Sequence, residues 1–266
     1  MSSEYEQATD QLLGEGYAYL NFDSTLVDNA NDAFKLFLRS LGKNKSRWSL
    51  KRPGEETSDV GVVEKDGQLG FDNKTYFHLS HDLPMMADRG GAAETRQQLV
   101  CLRTMNKLHD ALKIQALNIT LELIRRGHVQ PELTSLINDT FRLSRPHNVS
   151  TLRLLLYPDI PGQTGAKEHF DKSWLSLHLG DDGGEIMVLD ASGQWVKASP
   201  PRGSLLFFFG VKALALSNGE LKPLRHKSTT LPGKERTAAV MFVHADVGHV
   251  VSDAEAAYRH FHHQRV

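Results

Sequence analysis

The chain has 266 residues, of which 40% are hydrophobic and 24% are charged, so it is long enough for one large unit with a substantial core. Lys and Arg number 31 against 32 Asp and Glu, for a formal charge of -1, which lacks the basic excess typical of nucleic-acid binding. The longest apolar run, Leu205 to Phe209, is too short to span a membrane, and the single cysteine, Cys101, excludes an internal disulfide. We therefore expect a cytoplasmic protein without nucleic-acid or membrane partners.

The first half of the chain has mostly helical patterns. Periodic apolar residues and capping signals predict a strand at Tyr17 to Phe22 and helices over Ser3 to Gly14, Leu26 to Leu41, Ala92 to Arg126 (as two helices) and Pro131 to Phe141. The polar segment 43–73 is too long for an ordinary connection, and we expect it to form a lid over the substrate.

The second half changes to short runs of strand-forming residues separated by Gly, Pro, Asp and Asn. These runs are Thr151 to Tyr157, Trp174 to Leu179, Ile186 to Leu189, Gln194 to Lys197, Ser204 to Phe209, Leu221 to Ser228 and Arg236 to His244. They predict an α+β fold with a double-stranded β-helix (jelly roll) core. The jelly roll would span 150–250, with the mostly helical region 1–149 packed against it and a C-terminal helix in 251–266, as a single integrated unit.

A short motif, His169-Phe170-Asp171, places an imidazole and a carboxylate two residues apart in a run rich in strand formers, His169 to Leu179. Side chains at i and i+2 of a strand point to the same face of a sheet. One nitrogen and one oxygen donor would then lie side by side, as in two thirds of the 2-His-1-carboxylate triad that holds non-haem Fe(II). Alone, this pair is compatible with many metals or with none.

Two later residues extend the motif. His226 lies in the predicted strand Leu221 to Ser228 and supplies a second histidine, and Arg236 opens the last strong strand. An arginine buried in an otherwise apolar strand needs an anionic partner. The order His169-x-Asp171, His226, Arg236 therefore predicts an iron site with an anion-binding group beside it.

This pattern resembles the Fe(II)- and 2-oxoglutarate-dependent dioxygenases, in particular the branch similar to isopenicillin N synthase and the plant-type enzymes. Five further segments resemble that family in the same order along the chain: Leu152-Arg153-x-x-x-Tyr157-Pro158, Gly183-Gly184-x-x-x-Val188-Leu189-Asp190, Gly193-x-Trp195-Val196, Pro201-x-Gly203 and Ser217-Asn218-Gly219-x-x-Lys222. The resemblance covers about Thr151 to Val247, and the N-terminal region resembles the family's leading domain only loosely.

The resemblance implies a role for each residue of the pattern. His169, Asp171 and His226 would hold Fe(II), Arg236 would grip the C5 carboxylate of 2-oxoglutarate through two parallel hydrogen bonds, and Tyr157 would donate its hydroxyl to the same co-substrate. With O2, 2-oxoglutarate would yield succinate and CO2 while a small molecule, amino-acid-like or a natural product, is hydroxylated. Because Asp171 keeps the carboxylate that related halogenases lack, hydroxylation, desaturation or ring closure is favoured over halogenation.

Some positions depart from the family pattern. Leu155 and Phe208 stand where the family has Asn, Val211 stands where it has Asp, and Ala238 replaces the serine of its Arg-x-Ser motif. Arg236 would then hold the C5 carboxylate as a single anchor, helped by another group.

Trp174 and Phe209 are the candidates for the wall of the substrate pocket, whereas His178 is interpreted as structural. Three alternatives stay open: a 2-oxoglutarate-independent non-haem iron oxidase or cyclase on the same scaffold, a peptidyl or protein hydroxylase, and a non-enzymatic jelly-roll binding protein. Succinate formation distinguishes the first, a mass shift in a protein the second, and iron binding that depends on His169 and His226 the third.

Overall fold

A computed structural model describes residues 3–42, 48–50, 60–65, 74–79, 95–130, 150–159, 165–231 and 233–244. The predicted helices at 131–141 and 251–266 and most of the predicted lid at 43–73 lie outside these residues. None of the helices in the described part of the chain has the length and apolar character needed to cross a membrane.

Three of the four helices of the described residues were predicted from the sequence, and the short fourth one was not. They are α1 (Glu4–Glu15), α2 (Ser24–Leu41), α3 (Arg96–Arg125) and the short α4 (Lys212–Leu216). Asp23 caps α2 through a hydrogen bond from the Thr25 amide. The prediction of two helices in the third region is wrong, because no Gly or Pro interrupts α3 and its buried face runs from Gln98 to Leu123 without a break.

Eleven strands in the described ranges form two antiparallel sheets. They are β1 (Tyr17–Asn21), β2 (Ser49–Leu50), β3 (Val60–Lys65), β4 (Lys74–Leu79), β5 (Ser150–Tyr157), β6 (Leu175–Asp182), β7 (Gly184–Leu189), β8 (Trp195–Lys197), β9 (Ser204–Phe209), β10 (His226–Thr230) and β11 (Arg236–Val243). The large sheet has the order β1-β9-β6-β11-β5-β4-β3-β2, and the small sheet has the order β10-β7-β8. Strands from the N-terminal region therefore complete the large sheet on both sides of its centre.

Side chains on β9 show how the layers stack. Leu205 and Phe207 are buried in the main core, which α2 and α3 cover from one face of the large sheet. Leu206 and Phe208 point to the other face and pack with Val188 of the small sheet. Helices on one face and a second sheet on the other form the predicted α+β jelly roll, and that prediction is confirmed.

Two predictions near the histidines differ from the structure. The predicted strand Trp174 to Leu179 is present as β6, but the run from His169 is not part of it, since His169 makes only an isolated bridge to His226. Likewise β10 begins at His226, because the preceding chain is held by the hydrogen bond from the Leu224 amide to the Phe209 carbonyl rather than by a ladder. Both histidines therefore lie where irregular chain meets a strand.

Candidate metal centre

Three predicted ligands come together between the two sheets. His169 and Asp171 lie in the irregular segment before β6, and His226 is the first residue of β10. Asp171 Oδ1 lies 3.5 Å from His169 Nε2 and 3.8 Å from His226 Nε2, and the three donor atoms all lie within 4.8 Å of one another. Donors that share one ion through bonds of about 2.1 Å are at most about 4.2 Å apart, so a small adjustment lets one ion reach all three.

Backbone carbonyls orient both imidazoles. His169 Nδ1 donates to the Lys167 carbonyl at 2.7 Å, and His226 Nδ1 donates to the Leu224 carbonyl at 3.3 Å. Because the proton on each Nδ1 is used in this way, the lone pair of each Nε2 is available in the cavity. Such outer hydrogen bonds fix the tautomer of metal-binding histidines in general.

The Asp171 carboxylate is held on one side by serine hydroxyls. Ser176 Oγ donates to Asp171 Oδ2 at 2.6 Å, and Ser173 Oγ lies 2.7 Å from Ser176 Oγ. Gly210 allows this segment to pack closely, since a Cβ there would lie 2.8 Å from the Asp171 carbonyl oxygen and closer still to that of Ser173. Oδ2 is thus occupied, and Oδ1 is the oxygen that faces the two histidines.

Charge states in the cluster suit a divalent cation. Burial alone would raise the pKa of Asp171, but the imidazoles of His226 and His169 outweigh it and hold that pKa well below its usual range. Burial lowers the pKa of His226 to about 4 against the opposing effect of Asp171, so this imidazole is neutral at neutral pH. Burial also disfavours charge on His169, but Asp171 outweighs it and raises that pKa. A metal bound at His169 Nε2 would displace any proton held there.

The cluster opens into a cavity with about 530 Å³ of empty space, part of it open to solvent. Arg236 and Tyr157 line the same cavity as the three ligands, and they are direct partners in the register of β11 and β5. The Arg236 guanidinium lies 4.6 Å from the centre of the Tyr157 ring, and both residues are 3% exposed. The structure therefore brings all five of these predicted residues to one site.

Ser228 places a hydroxyl beside Arg236, where the Arg-x-Ser motif of this chain lacks one. Arg236 Nη1 donates to Ser228 Oγ at 3.0 Å, and the Ala166 amide donates to the same oxygen at 2.9 Å. A hydroxyl that accepts two hydrogen bonds still has its own proton to donate. Ser228, two residues after His226, therefore supplies a hydroxyl next to Arg236 although Ala238 replaces the serine of the Arg-x-Ser motif.

Gly184 gives Arg236 its space. A Cβ at Gly184 would lie 2.4 Å from Arg236 Nε and 2.6 Å from the Thr229 carbonyl oxygen. Only a residue without a side chain leaves the guanidinium where it is. This requirement gives a physical reason for glycine at the second position of the Gly183-Gly184 motif.

Two further residues, Arg153 and His178, line the cavity. On an unbroken strand His178 would point to the opposite face from His169, which predicts a structural role, but the irregular segment before β6 changes the face to which it points. Its ring stacks on Phe208 and meets His226 edge-on, and its Nε2 is buried without a hydrogen-bond partner among the described residues. Burial, then the nearby His226, lowers the pKa of His178 to about 3.

Trp174 and Phe209, predicted as pocket walls, are not brought to this cavity. Both side chains are at most 2% exposed and belong to the main core on the helix-covered face of the large sheet. Phe209 has the parity of Phe207 rather than that of Phe208, so it points away from the small sheet.

The fold and the cluster define a class of protein. Two neutral nitrogen donors and one carboxylate oxygen on a jelly roll form a three-ligand set that leaves coordination positions open, which suits non-haem Fe(II). A sulfur donor is absent from the described cluster, and an all-oxygen set for Mg²⁺ or Ca²⁺ is not what the three residues offer.

Comparison with known proteins gives the family. Residues 139–245, somewhat less than half of the chain, match the model of the 2OG-Fe(II) oxygenase superfamily. The family resemblance predicted from the motifs is confirmed, and Fe(II) and 2-oxoglutarate are the cofactor and co-substrate that define the family.

Two curated relatives match over different lengths. The 2-oxoglutarate-dependent dioxygenase 11 of Oryza sativa subsp. japonica is 28% identical over 237 residues, 86% of this chain and 62% of its own length. The sexual differentiation process protein isp7 of Schizosaccharomyces pombe is 29% identical over 104 residues, 39% of this chain and 26% of its own length. This chain therefore spans less than two thirds of each.

Solved structures share the fold. A protein of Caulobacter crescentus assigned to the 2OG-Fe(II) oxygenase family superposes with a TM-score of 0.69 at 23% identity, covering 98% of this chain and 92% of its own. A full-length protein of Neurospora crassa, crystallised in complex with alpha-KG, has a TM-score of 0.68 at 19% identity, covering 91% of this chain and 79% of its own.

Proposed function

We propose that this protein is an Fe(II)- and 2-oxoglutarate-dependent oxygenase that hydroxylates a small molecule and releases succinate and CO2. One observation carries the proposal: the His169, Asp171 and His226 donors share a cavity with the buried guanidinium of Arg236. Bound iron supplies the redox chemistry with O2, in which one oxygen atom enters succinate and the other enters the substrate.

The roles of the three ligands follow from their hydrogen bonds. His169 and His226 would bind through Nε2, since their Nδ1 protons are given to backbone carbonyls. Asp171 would bind through Oδ1 alone, since Oδ2 accepts from Ser176. A three-donor set of this kind would leave coordination positions open for the co-substrate and O2.

Arg236 would anchor the distal carboxylate of 2-oxoglutarate. Its guanidinium can give two parallel N–H groups to a carboxylate, and Ser228 can add its hydroxyl to the same group. Tyr157, against whose ring the guanidinium packs, would fix the plane of the arginine and donate its hydroxyl to the co-substrate. The rice relative, named as a 2-oxoglutarate-dependent dioxygenase, supports this choice of co-substrate.

The finer features of the proposal have separate support. A structure of the Neurospora crassa protein in complex with alpha-KG and 5-formyluracil, a small molecule, supports a small-molecule substrate. Membership of the branch similar to isopenicillin N synthase rests on the motifs, and a cytoplasmic location rests on the lone, buried Cys101.

The decisive experiment measures 2-oxoglutarate binding and turnover together. Protein loaded with Mn(II) should bind 2-oxoglutarate in calorimetry, and a crystal soaked anaerobically with both should show the ion on His169, Asp171 and His226 and the C5 carboxylate on Arg236. Protein loaded with Fe(II) in air should release succinate once a substrate is supplied. Failure to bind Mn(II) would leave a non-enzymatic jelly roll, and substrate turnover without succinate would mean a 2-oxoglutarate-independent oxidase.

A further inference from the structure

Arg153 is a second arginine in the cavity, distant from Arg236 along the same sheet. It lies on β5 opposite Val240 of β11, whereas Tyr157, on the same face of β5, lies opposite Arg236. Four residues of a strand correspond to about 13 Å, so the backbone positions of the two arginines are well separated. Arg153 can therefore act on a different part of the cavity contents.

The surroundings of Arg153 fix its guanidinium without neutralising it. The Tyr76 and Phe242 rings lie 5.1 and 4.7 Å from the guanidinium carbon, and Arg153 Nε donates to His78 Nε2 at 2.6 Å. These contacts use the ring faces and one of five N–H groups. Among the described residues no carboxylate pairs with Arg153, so its two terminal nitrogens remain able to form the fork that binds a carboxylate.

The charged side chains in the described lining of the cavity also favour an anionic ligand. Its described lining includes three cationic side chains, those of Lys74, Arg153 and Arg236, against the single carboxylate of Asp171. Fe(II) brings two positive charges and 2-oxoglutarate two negative ones, so the bound cofactor and co-substrate leave the cationic character of this described lining unchanged. A substrate with an anionic group would complement it.

We infer that the substrate of this oxygenase carries a carboxylate, and that Arg153 is the residue that binds it. Lys74, whose Nζ lies 5.6 Å from the centre of the Tyr157 ring, stands at the other end of the cavity, near Arg236. The aromatic pair that holds Arg153 flat makes the fork rigid, which favours a planar carboxylate over a single acceptor atom. This inference rests on the proposed function and narrows the class of substrate.

The test compares small carboxylic acids with their primary amides, which have nearly the same shape but no charge. A panel of such pairs, including 3-phenylpropionate with 3-phenylpropionamide and hexanoate with hexanamide, is titrated by ligand-observed NMR into protein loaded with Mn(II) and 2-oxoglutarate. We expect acids to bind about tenfold or more tightly than their amides. Equal binding of acids and amides, or no binding by any acid, overturns the inference.

Variants assign the preference to Arg153. Arg153→Gln should bind acids no better than amides, and Arg153→Lys, which keeps the charge without the fork, should keep part of the preference. The control is Arg202→Gln, because Arg202 is exposed, pairs with Asp28 and lies outside the cavity. A preference that survives in Arg153→Gln would overturn the assignment.

Affinity for 2-oxoglutarate separates this inference from the proposed function. Arg236→Gln should weaken 2-oxoglutarate binding about tenfold or more, while Arg153→Gln should change it about twofold at most. If Arg153→Gln weakens it as much as Arg236→Gln does, Arg153 belongs to the co-substrate anchor and the inference is wrong although the function stands. If the unaltered protein binds neither Mn(II) nor 2-oxoglutarate, the proposed function itself fails.

Discussion

His169 and His226 are hydrogen-bonded to each other through their backbones. The His169 amide donates to the His226 carbonyl at 2.9 Å, the His226 amide donates to the His169 carbonyl at 3.0 Å, and the two rings lie 4.3 Å apart. This pair of bonds fastens the irregular segment that carries Asp171 to the edge of the small sheet. The donors are therefore positioned by backbone geometry before any ion binds.

Removing either imidazole should abolish tight metal binding. We expect His169→Ala and His226→Ala to lose Mn(II) binding by at least about 100-fold, since two donors cannot hold the ion as three do. Calorimetry with Mn(II) measures the effect. The control is His128→Ala, whose ring contacts Glu220 at the surface. Wild-type affinity in either site variant would show that the ion binds elsewhere.

The hydroxyl of Ser176 should matter for metal affinity although it touches no metal. Ser176→Ala removes the hydrogen bond to Asp171 Oδ2, so the carboxylate can rotate, and we expect Mn(II) affinity to fall about tenfold. Ser192→Ala is a matched control, because its hydroxyl also donates to an aspartate, Asp190, but in an exposed turn. An equal change in both variants would argue against a positioning role for Ser176.

Ser228 should contribute to 2-oxoglutarate binding in place of the serine that the Arg-x-Ser motif lacks. We expect Ser228→Ala to weaken binding of the co-substrate about threefold to tenfold, with Mn(II) affinity unchanged. The double variant with Arg236→Gln should lose less than the two single losses combined, because both groups act on one carboxylate. Ser204→Ala, whose hydroxyl donates to the Pro201 carbonyl, serves as the control.

Adding one methyl group at Gly184 should displace Arg236. In Gly184→Ala the new Cβ would lie 2.4 Å from Arg236 Nε, so the guanidinium must move, and we expect at least tenfold weaker 2-oxoglutarate binding with Mn(II) binding retained. Gly180→Ala, on β6, is the control, because nothing lies within 4 Å of a Cβ there. Unchanged 2-oxoglutarate affinity in Gly184→Ala would mean that Arg236 is not the anchor.

Stability in acid should depend on Glu122. Hydrogen bonds from Arg125 and then Arg126 lower the pKa of Glu122 to about 2 from its ordinary 4.5. The folded state therefore holds this proton less tightly than the unfolded chain, so the contribution is complete above about pH 4.5 and is lost as the pH falls toward 2.

Chemical unfolding across that pH range tests the effect. We expect Glu122→Gln to reduce the free energy of unfolding at neutral pH by about 1 to 2 kcal/mol, a value that allows for solvent around Arg125, and to flatten the decline in acid. Glu185→Gln, which removes an exposed pair with Lys197, is the control. Parallel acid profiles for Glu122→Gln and the unaltered protein would contradict the prediction.

The metal cluster could be predicted from the sequence because its signals are local and ordered. His169 and Asp171 are two residues apart, and His226 and Arg236 follow at the beginnings of strands. The pairing register of the strands therefore did not have to be known to group these four residues. The jelly roll could be predicted for a similar reason, since turn residues separate each short apolar run from the next.

The rest of the cavity depends on parity and on contacts between sheets, which sequence does not reveal. The chain before Leu175 is irregular, so the alternation of side chains between the two faces of the sheet cannot be counted from His169. His178 therefore faces the cavity while Trp174 does not. Ser228 meets Arg236 across the gap between the sheets, and nothing in the motif around Arg236 indicates that partner. The sequence shows Arg153 only as part of a family motif. Its role in binding a substrate is indicated by the Tyr76 and Phe242 rings around it and by its position on β5.

The five-residue strand β10 carries both the metal ligand His226 and the hydroxyl of Ser228, at alternate positions that face the same cavity. Anything that stiffens or shifts this strand acts on both at once. Binding of iron and binding of the oxo acid are then linked, and by thermodynamic reciprocity each raises the affinity for the other by the same factor. Where iron is scarce, the supply of a central metabolic acid would decide how much of the protein holds its metal.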